Sequence, residues 1–337
     1  MGRLGAGRLP VSREGGAVER GDLTVRLGPL TLRNPLMNAS GTFGYGHEWP
    51  RLCATERLGA IVTKTLTLRP RAGNPPPRLH ETDAGLLNSI GLENVGVDAF
   101  LDEHLPLLRR LGPAVIASVG GESAEEFAAC IARLEGGALD AYEINVSCPN
   151  VAAGGLSFGR SAAATARVTR AARQATRRPL FVKLTPNVTD IVEIGRACLD
   201  EGADGLTAVN TFLGMAVDVA RERPVFARVG AGLSGPAIRP LALHKVYELY
   251  SALRCPLIGA GGIGTGEQAL AFLLAGASAV QVGTATLHDP SRPAAVVDEL
   301  AALVRAKGEG GVAGMIGRLH RPGARPGFAP GSKEAKE

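Results

Sequence analysis

Eight short apolar, β-prone runs recur along this chain of 337 residues, and stretches of helical character separate them. The runs fall at residues 36–39, 60–64, 114–119, 141–145, 180–184, 205–210, 256–259 and 279–282. Amphipathic stretches lie at 124–134, 162–176, 191–201, 237–253 and 266–275. Strands that alternate with helices pair in parallel, through right-handed crossovers. Eight such units in about 270 residues favour an α/β fold closed as a (β/α)8 TIM barrel over an open doubly wound sheet. No strand-then-helix Gly-x-Gly-x-x-Gly with a downstream acid is present, which argues against a Rossmann domain. Two segments fit neither period. Residues 69–97, with Asn74-Pro75-Pro76-Pro77, are too polar and proline-rich for a helix and predict a lid or small subdomain. Residues 148–160 predict a second, mobile lid. Both are loop insertions over the C-terminal face of the barrel.

Composition narrows the partners. With 45% hydrophobic and 20% charged residues the chain can bury a large core. The net charge of +5 is carried by the ends: residues 1–21 hold +2 and residues 305–337 hold +4, leaving −1 for the body. A near-neutral body is no footprint for nucleic acid. Both ends are rich in Gly, Arg and Pro, so the division expected is a basic tail at 1–21, a catalytic barrel at 22–304 and a second tail at 305–337. No apolar stretch is long enough for a membrane span, and no signal-peptide core opens the chain, so a cytoplasmic location is expected. The cysteines Cys53, Cys130, Cys148, Cys198 and Cys255 are odd in number and without a C-x-x-C pair, which argues against disulfides, zinc or an iron–sulfur cluster on this chain. The six histidines show no ligand spacing, so no metal is assigned.

Polar residues and glycines gather where the apolar runs end: Ser40, Lys64 and Thr65, Asn145, Lys183, Asn210 and Thr211, Gly261 and Gly262, Gly283 and Thr284. In a barrel these ends share one face, where active sites are built. Glycine loops after the seventh and eighth runs, joined by Gly232-Leu233-Ser234-Gly235-Pro236, suit a phosphorylated cofactor such as FMN, although chain reversal alone also needs glycine. Lys64 and Lys183 each end a strand. One suits an anionic substrate carboxylate and the other the electron-rich edge of a flavin, the alternative being stems that snorkel to water. The carboxamides Asn88, Asn145 and Asn210 match a ring with alternating N–H and C=O groups, although each alone is an ordinary turn residue. Cys148, in Asn145-Val146-Ser147-Cys148-Pro149-Asn150, is either a quiet structural thiol or a base at a strand end.

Seven motifs then carry a family resemblance in order along the chain. They are Asn34-Pro-Leu-Met-Asn-Ala-Ser-Gly-Thr-Phe-Gly44, Val62-Thr-Lys-Thr65, Gly73-Asn-Pro-Pro-Pro-Arg78, Leu87-Asn-Ser-Ile-Gly-Leu92, the segment from Asn145 to Asn150, Val182-Lys-Leu-Thr-Pro-Asn-Val-Thr-Asp190 and Gly283-Thr284. From about Asp22 to Leu303 the chain resembles dihydroorotate dehydrogenases. The resemblance implies an FMN-containing (β/α)8 barrel that oxidises dihydroorotate to orotate in pyrimidine biosynthesis. Cys148, where class 2 enzymes have serine, and the loop 148–159 resemble class 1B. That class implies one FMN per chain and a partner electron-transfer subunit carrying FAD and [2Fe–2S]. It also implies a two-plus-two heterotetramer and NAD+ as acceptor.

Carried over by position, the resemblance implies flavin contacts at Ser40, Lys64, Thr65, Asn145, Lys183, Val209, Gly235, Gly261, Gly262, Gly283 and Thr284. It implies substrate contacts at Lys64, Asn88, Ser89, Ile90, Gly91, Leu92, Asn145, Asn210 and Thr211, with Cys148 as the catalytic base. Ser118 departs from the pattern, standing where the family usually has asparagine against the flavin. Rival readings are a class 1A homodimer using fumarate, a flavin barrel reducing uridine in tRNA, and a non-catalytic FMN-binding subunit.

Overall fold

All eight apolar runs form strands, and their ends fall within two residues of those expected. We label them β1 (Leu36–Asn38), β2 (Ala60–Val62), β3 (Ala114–Val119), β4 (Ala141–Asn145), β5 (Leu180–Leu184), β6 (Gly205–Ala208), β7 (Leu257–Ala260) and β8 (Ala279–Val282). In the computed structural model, which describes residues 22–48, 50–146, 158–308 and 310–320, they close in sequence order into a parallel barrel. The seam between β8 and β1 pairs Gln281 with Met37. Nearly every strand residue is buried, as parallel strands covered on both faces require.

The helices follow from sequence in a similarly direct way. Ala124–Leu134, Ala162–Ala175, Ile191–Asp200 and Gly266–Leu274 are preceded by Ser123, Ser161, Asp190 and Thr265. Each of these side chains accepts a hydrogen bond from a backbone N–H of the first turn, a cap worth about 1 kcal/mol. The helix Arg239–Leu253 starts instead at a proline in its first turn. After β2 the chain forms Gly96–Ala99, a π-helical turn Phe100–His104 and Leu105–Arg109, burying Val97, Phe100, Leu105 and Leu108. Residues 96–109 and the last helix, Arg292–Ala306, were not anticipated from the sequence.

The insertion at 69–97 supplies two strands, Leu79–Thr82 and Gly85–Asn88. These join Phe212–Gly214 and Ala231–Ser234, from the excursion after β6, in a four-stranded antiparallel sheet beside the barrel mouth. The pairs Gly232–Asn88 and Leu233–Leu87 bring the two excursions together. Gly232 leaves room at this junction, where a Cβ would stand 3.2 Å from the Asn88 side-chain nitrogen and 2.3 Å from the Thr211 hydroxyl. The expected second lid lies mostly outside the described residues, which resume at the single turn Phe158–Arg160.

One boundary needs correction. The tail expected from residue 305 does not begin there: the last helix runs to Ala306, and Val312 and Met315 are buried. The Val312 N–H donates to the Asp22 carbonyl at 2.8 Å, and His320 stacks on Tyr247 with ring centroids 4.3 Å apart. Apolar residues too sparse to show a period still find a groove on a finished surface. Residues 1–21 and 321–337 lie outside the described residues.

Candidate active site

Strand ends and the antiparallel sheet together enclose one cavity at the carboxyl end of the barrel. Its wall includes Ser40, Lys64, Thr65, Asn145, Lys183, Val209 and Gln281 from the strand ends, and Leu79, Leu86, Asn88, Gly232 and Ser234 from the sheet. At its base lies a polar network inside the barrel. Lys183 Nζ donates to Gln281 Oε1 at 2.9 Å, to Ser40 Oγ at 3.3 Å and to Glu143 Oε1 at 3.5 Å. The other Glu143 oxygen accepts from Gln281 Nε2 at 2.6 Å and from the Thr207 hydroxyl at 2.9 Å. The side chains of Lys183 and Glu143 are 5% and 0% exposed. Burial of either charge alone is prohibitive, so each makes the other tolerable.

Lys64 meets a different environment. Its ammonium stands 3.8 Å from Glu93, with 23% and 44% of the two side chains exposed. Glu93 is shared with Arg78, so its charge is already largely answered. Lys64 is thus a cation at the rim with donors to spare for an anion in the cavity.

The carboxamides converge as well. Asn210 Nδ2 donates to Asn145 Oδ1 at 3.2 Å, and Asn145 Nδ2 to the Thr65 hydroxyl at 3.4 Å. Asn88 Nδ2 donates to the Gly232 carbonyl at 3.1 Å. The loop from Asn88 to Leu92 is braced from behind: Asn74 Nδ2 donates to the Ser89 carbonyl and hydroxyl, and Asn94 Nδ2 to the Leu92 carbonyl.

Opposite, Gly261, Gly262, Gly283 and Thr284 line the wall. Gly261 (φ 135°) and Gly262 (φ 69°) hold left-handed backbone, and a Cβ on Gly262 would lie 2.6 Å from the Gly235 carbonyl oxygen. Thr284 donates its hydroxyl hydrogen to Ser234 Oγ at 2.7 Å. Bare backbone on one side, a lysine beneath and carboxamides around the rim form a donor set that fits a planar heterocycle carrying a phosphate.

Residues 22–304 match the family model for dihydroorotate dehydrogenase. The chain belongs to the dihydroorotate dehydrogenase family. It is 48% identical to a protein of Geobacter sulfurreducens over 303 residues, covering 90% of this chain and 99% of that one. Identity is also 48% to a protein of Desulforudis audaxviator over 300 residues, covering 89% and 98%. Both relatives bear the name dihydroorotate dehydrogenase B (NAD(+)), catalytic subunit.

Of the residues carried over from the family, the structure gathers Ser40, Lys64, Thr65, Asn145, Lys183, Val209, Gly261, Gly262, Gly283 and Thr284 in this wall. Asn88, Ile90, Gly91, Leu92, Asn210 and Thr211 stand there too. Three do not line it. Ser118 is buried behind Thr65, with the two hydroxyls 2.9 Å apart; Ser89 is turned toward Asn74; Gly235 sits behind Gly262. Cys148 lies outside the described residues. Sequence reading missed Glu143 and Gln281, though a signal existed. Glu143 is a charge in an otherwise apolar run, two positions before Asn145 and therefore on the same strand face.

The remaining thiols are unsuited to base chemistry. Cys53, Cys130, Cys198 and Cys255 are all buried. Burial pushes each thiol up, Cys198 to about 12 and Cys255 to about 11, so none is a thiolate near neutral pH. No helix among the described residues is long and apolar enough to cross a membrane.

Proposed function

We propose that this chain oxidises (S)-dihydroorotate to orotate with FMN in the cavity, and passes the electrons to NAD+ through a partner subunit bearing FAD and [2Fe–2S]. The observation that carries the reading is the meeting, in one cavity, of the glycine wall, the two lysines and the three carboxamides. The names of the relatives support the NAD+-linked type. Bound FMN supplies the acceptor for the hydride that leaves substrate C6. The chain's residues do the rest. Lys183 faces the electron-rich edge of the flavin ring, and the amides of Gly261, Gly262 and Gly283 receive the phosphate. Lys64 holds the substrate carboxylate, while Asn88, Asn145 and Asn210 pair with its N–H and C=O groups and reject rings that lack them. The Cys148 thiolate removes the C5 proton as the hydride leaves C6, so the ring gains a C5–C6 double bond. Orientation of both reacting carbons is the main contribution of the protein.

The test is anaerobic mixing of the purified yellow chain with dihydroorotate. Wild type should bleach rapidly, with a rate that rises with pH as the thiol base ionises to its competent thiolate. Cys148→Ala should keep its flavin yet bleach at least about 100-fold more slowly, the usual scale of a lost general base. Near-normal bleaching by this variant removes the base assignment. No bleaching of wild type leaves a non-catalytic flavin subunit. Reduction of fumarate by the chain alone points to the homodimeric type. NAD+ reduction that appears only with a co-purified iron- and FAD-containing subunit supports the two-plus-two heterotetramer.

A further inference from the structure

Outside the cavity wall, two histidine rings and a carboxylate meet. His47 Nε2 and His104 Nδ1 are 2.7 Å apart, and with a Glu48 oxygen these donor atoms all lie within 4.8 Å of one another. His47 and Glu48 belong to the loop after β1, whereas His104 closes the π-helical turn after β2. Turns of that kind are rare and recur at functional sites. The two histidines are 57 positions apart in the chain, so spacing along the sequence shows no ligand pattern and only the fold assembles one.

We propose that His47, Glu48 and His104 bind a divalent transition ion of the zinc class. Two imidazole nitrogens and one carboxylate oxygen are a known donor set for zinc, leaving a fourth position for water. At zinc–nitrogen distances of about 2.0–2.1 Å, two ligand nitrogens on a tetrahedral ion lie roughly 3.4 Å apart. Loading therefore opens the ring pair by only a fraction of an ångström. With both rings neutral, the proton now between them moves to the far nitrogen of its own ring, and both facing nitrogens become free to ligate. No net proton has to leave.

The surroundings already fix the ligands. The Glu48 oxygens accept the Tyr45 and Gly46 backbone N–H groups, each at 2.8 Å, and a carboxylate keeps further lone pairs for an ion. The His104 ring lies 4.1 Å from the Tyr45 ring, and its plane is within 12° of Phe100. Tyr45 is itself held by the Val95 N–H, which donates to its hydroxyl at 3.0 Å. An ion here would fasten the β1 loop, which carries Ser40, Gly41 and Thr42 of the cavity wall, to the helix after β2. That loop already receives the Lys64 N–H at the Gly44 carbonyl.

The test is titration of the chelator-treated, full-length chain with Zn2+ by calorimetry and with Co2+ by visible absorption. The expected result is one ion per chain, with cobalt bands of a tetrahedral nitrogen–oxygen site and no thiolate charge-transfer band. His47→Asn and His104→Asn should each lose this binding, while Cys148→Ser keeps it. Because His104 packs on two aromatic rings, melting of each variant without metal checks that it folds; His47, on the loop, is the safer of the two. Added Zn2+ should raise the melting temperature of wild type and leave both histidine variants unmoved. Absence of saturable uptake by wild type overturns the proposal. So does binding retained by both histidine variants, or lost only in Cys148→Ser.

Discussion

Lys183 lies near the end of β5 and Lys64 just past the end of β2, on non-adjacent strands of the same barrel, and both read in the sequence as a lysine closing an apolar run. The structure separates them. Lys183 is buried at the base of the cavity against Glu143 and Gln281, whereas Lys64 stands at the rim beside a half-exposed Glu93 that Arg78 also holds. The same residue type near two strand ends, one inside its strand and one two residues past it, thus has two jobs. A buried ion pair fixes geometry because neither partner can leave without stranding the other, but a rim cation stays available to a ligand.

The largest effect expected from breaking this contrast is at Lys183. Lys183→Met strands the Glu143 carboxylate and should cost about 3–5 kcal/mol in a denaturant melt. Adding Glu143→Gln should recover a large part of that loss, since it removes the charge left alone. A double variant no more stable than the single one would mean that the network is not coupled. At the rim, Lys64→Ala should change stability by about 1 kcal/mol or less, while raising KM for dihydroorotate far more than it lowers flavin content. The smallest effect concerns salt. Raising it from 0.05 to about 0.5 M should weaken substrate binding at the rim and leave flavin retention over Lys183 nearly unchanged, because buried pairs are screened much less.

Thiol chemistry sharpens the same division between sealed and accessible groups. At pH 8 a thiol reagent should find one fast-reacting cysteine in the folded chain, absent from Cys148→Ser. The other four should react only on unfolding, since burial holds their thiols protonated. A second fast thiol in the folded protein would contradict the burial of the four.

Much of the fold was legible because strands covered on both faces leave unbroken apolar runs, and because the helices that cover them show as amphipathic stretches. The strand-end polar residues were legible for a related reason: a barrel has one end where chemistry is placed, and Ser40, Lys64, Asn145 and Lys183 fall there. What the pattern hid lay in two kinds of place. The antiparallel sheet joins strands separated by more than a hundred positions, and Gly232, which reads in the sequence as part of a phosphate-suited glycine loop, lies instead in one of its strands opposite Asn88. The final packed segment buries Val312 and Met315 without any period to mark it.

The sequence by itself determined the parallel barrel, its reading direction, the family and most of the cavity wall, since these follow from local periodicity and from motifs a few residues long. Only the tertiary structure decided that Glu143 and Gln281 complete the Lys183 network, that Ser118 stands behind Thr65 and away from the cavity, and that His47 and His104 meet. The physical reason is the same in each case. These outcomes depend on distances of a few ångströms between groups far apart in the chain, and such distances exist only once the barrel has closed.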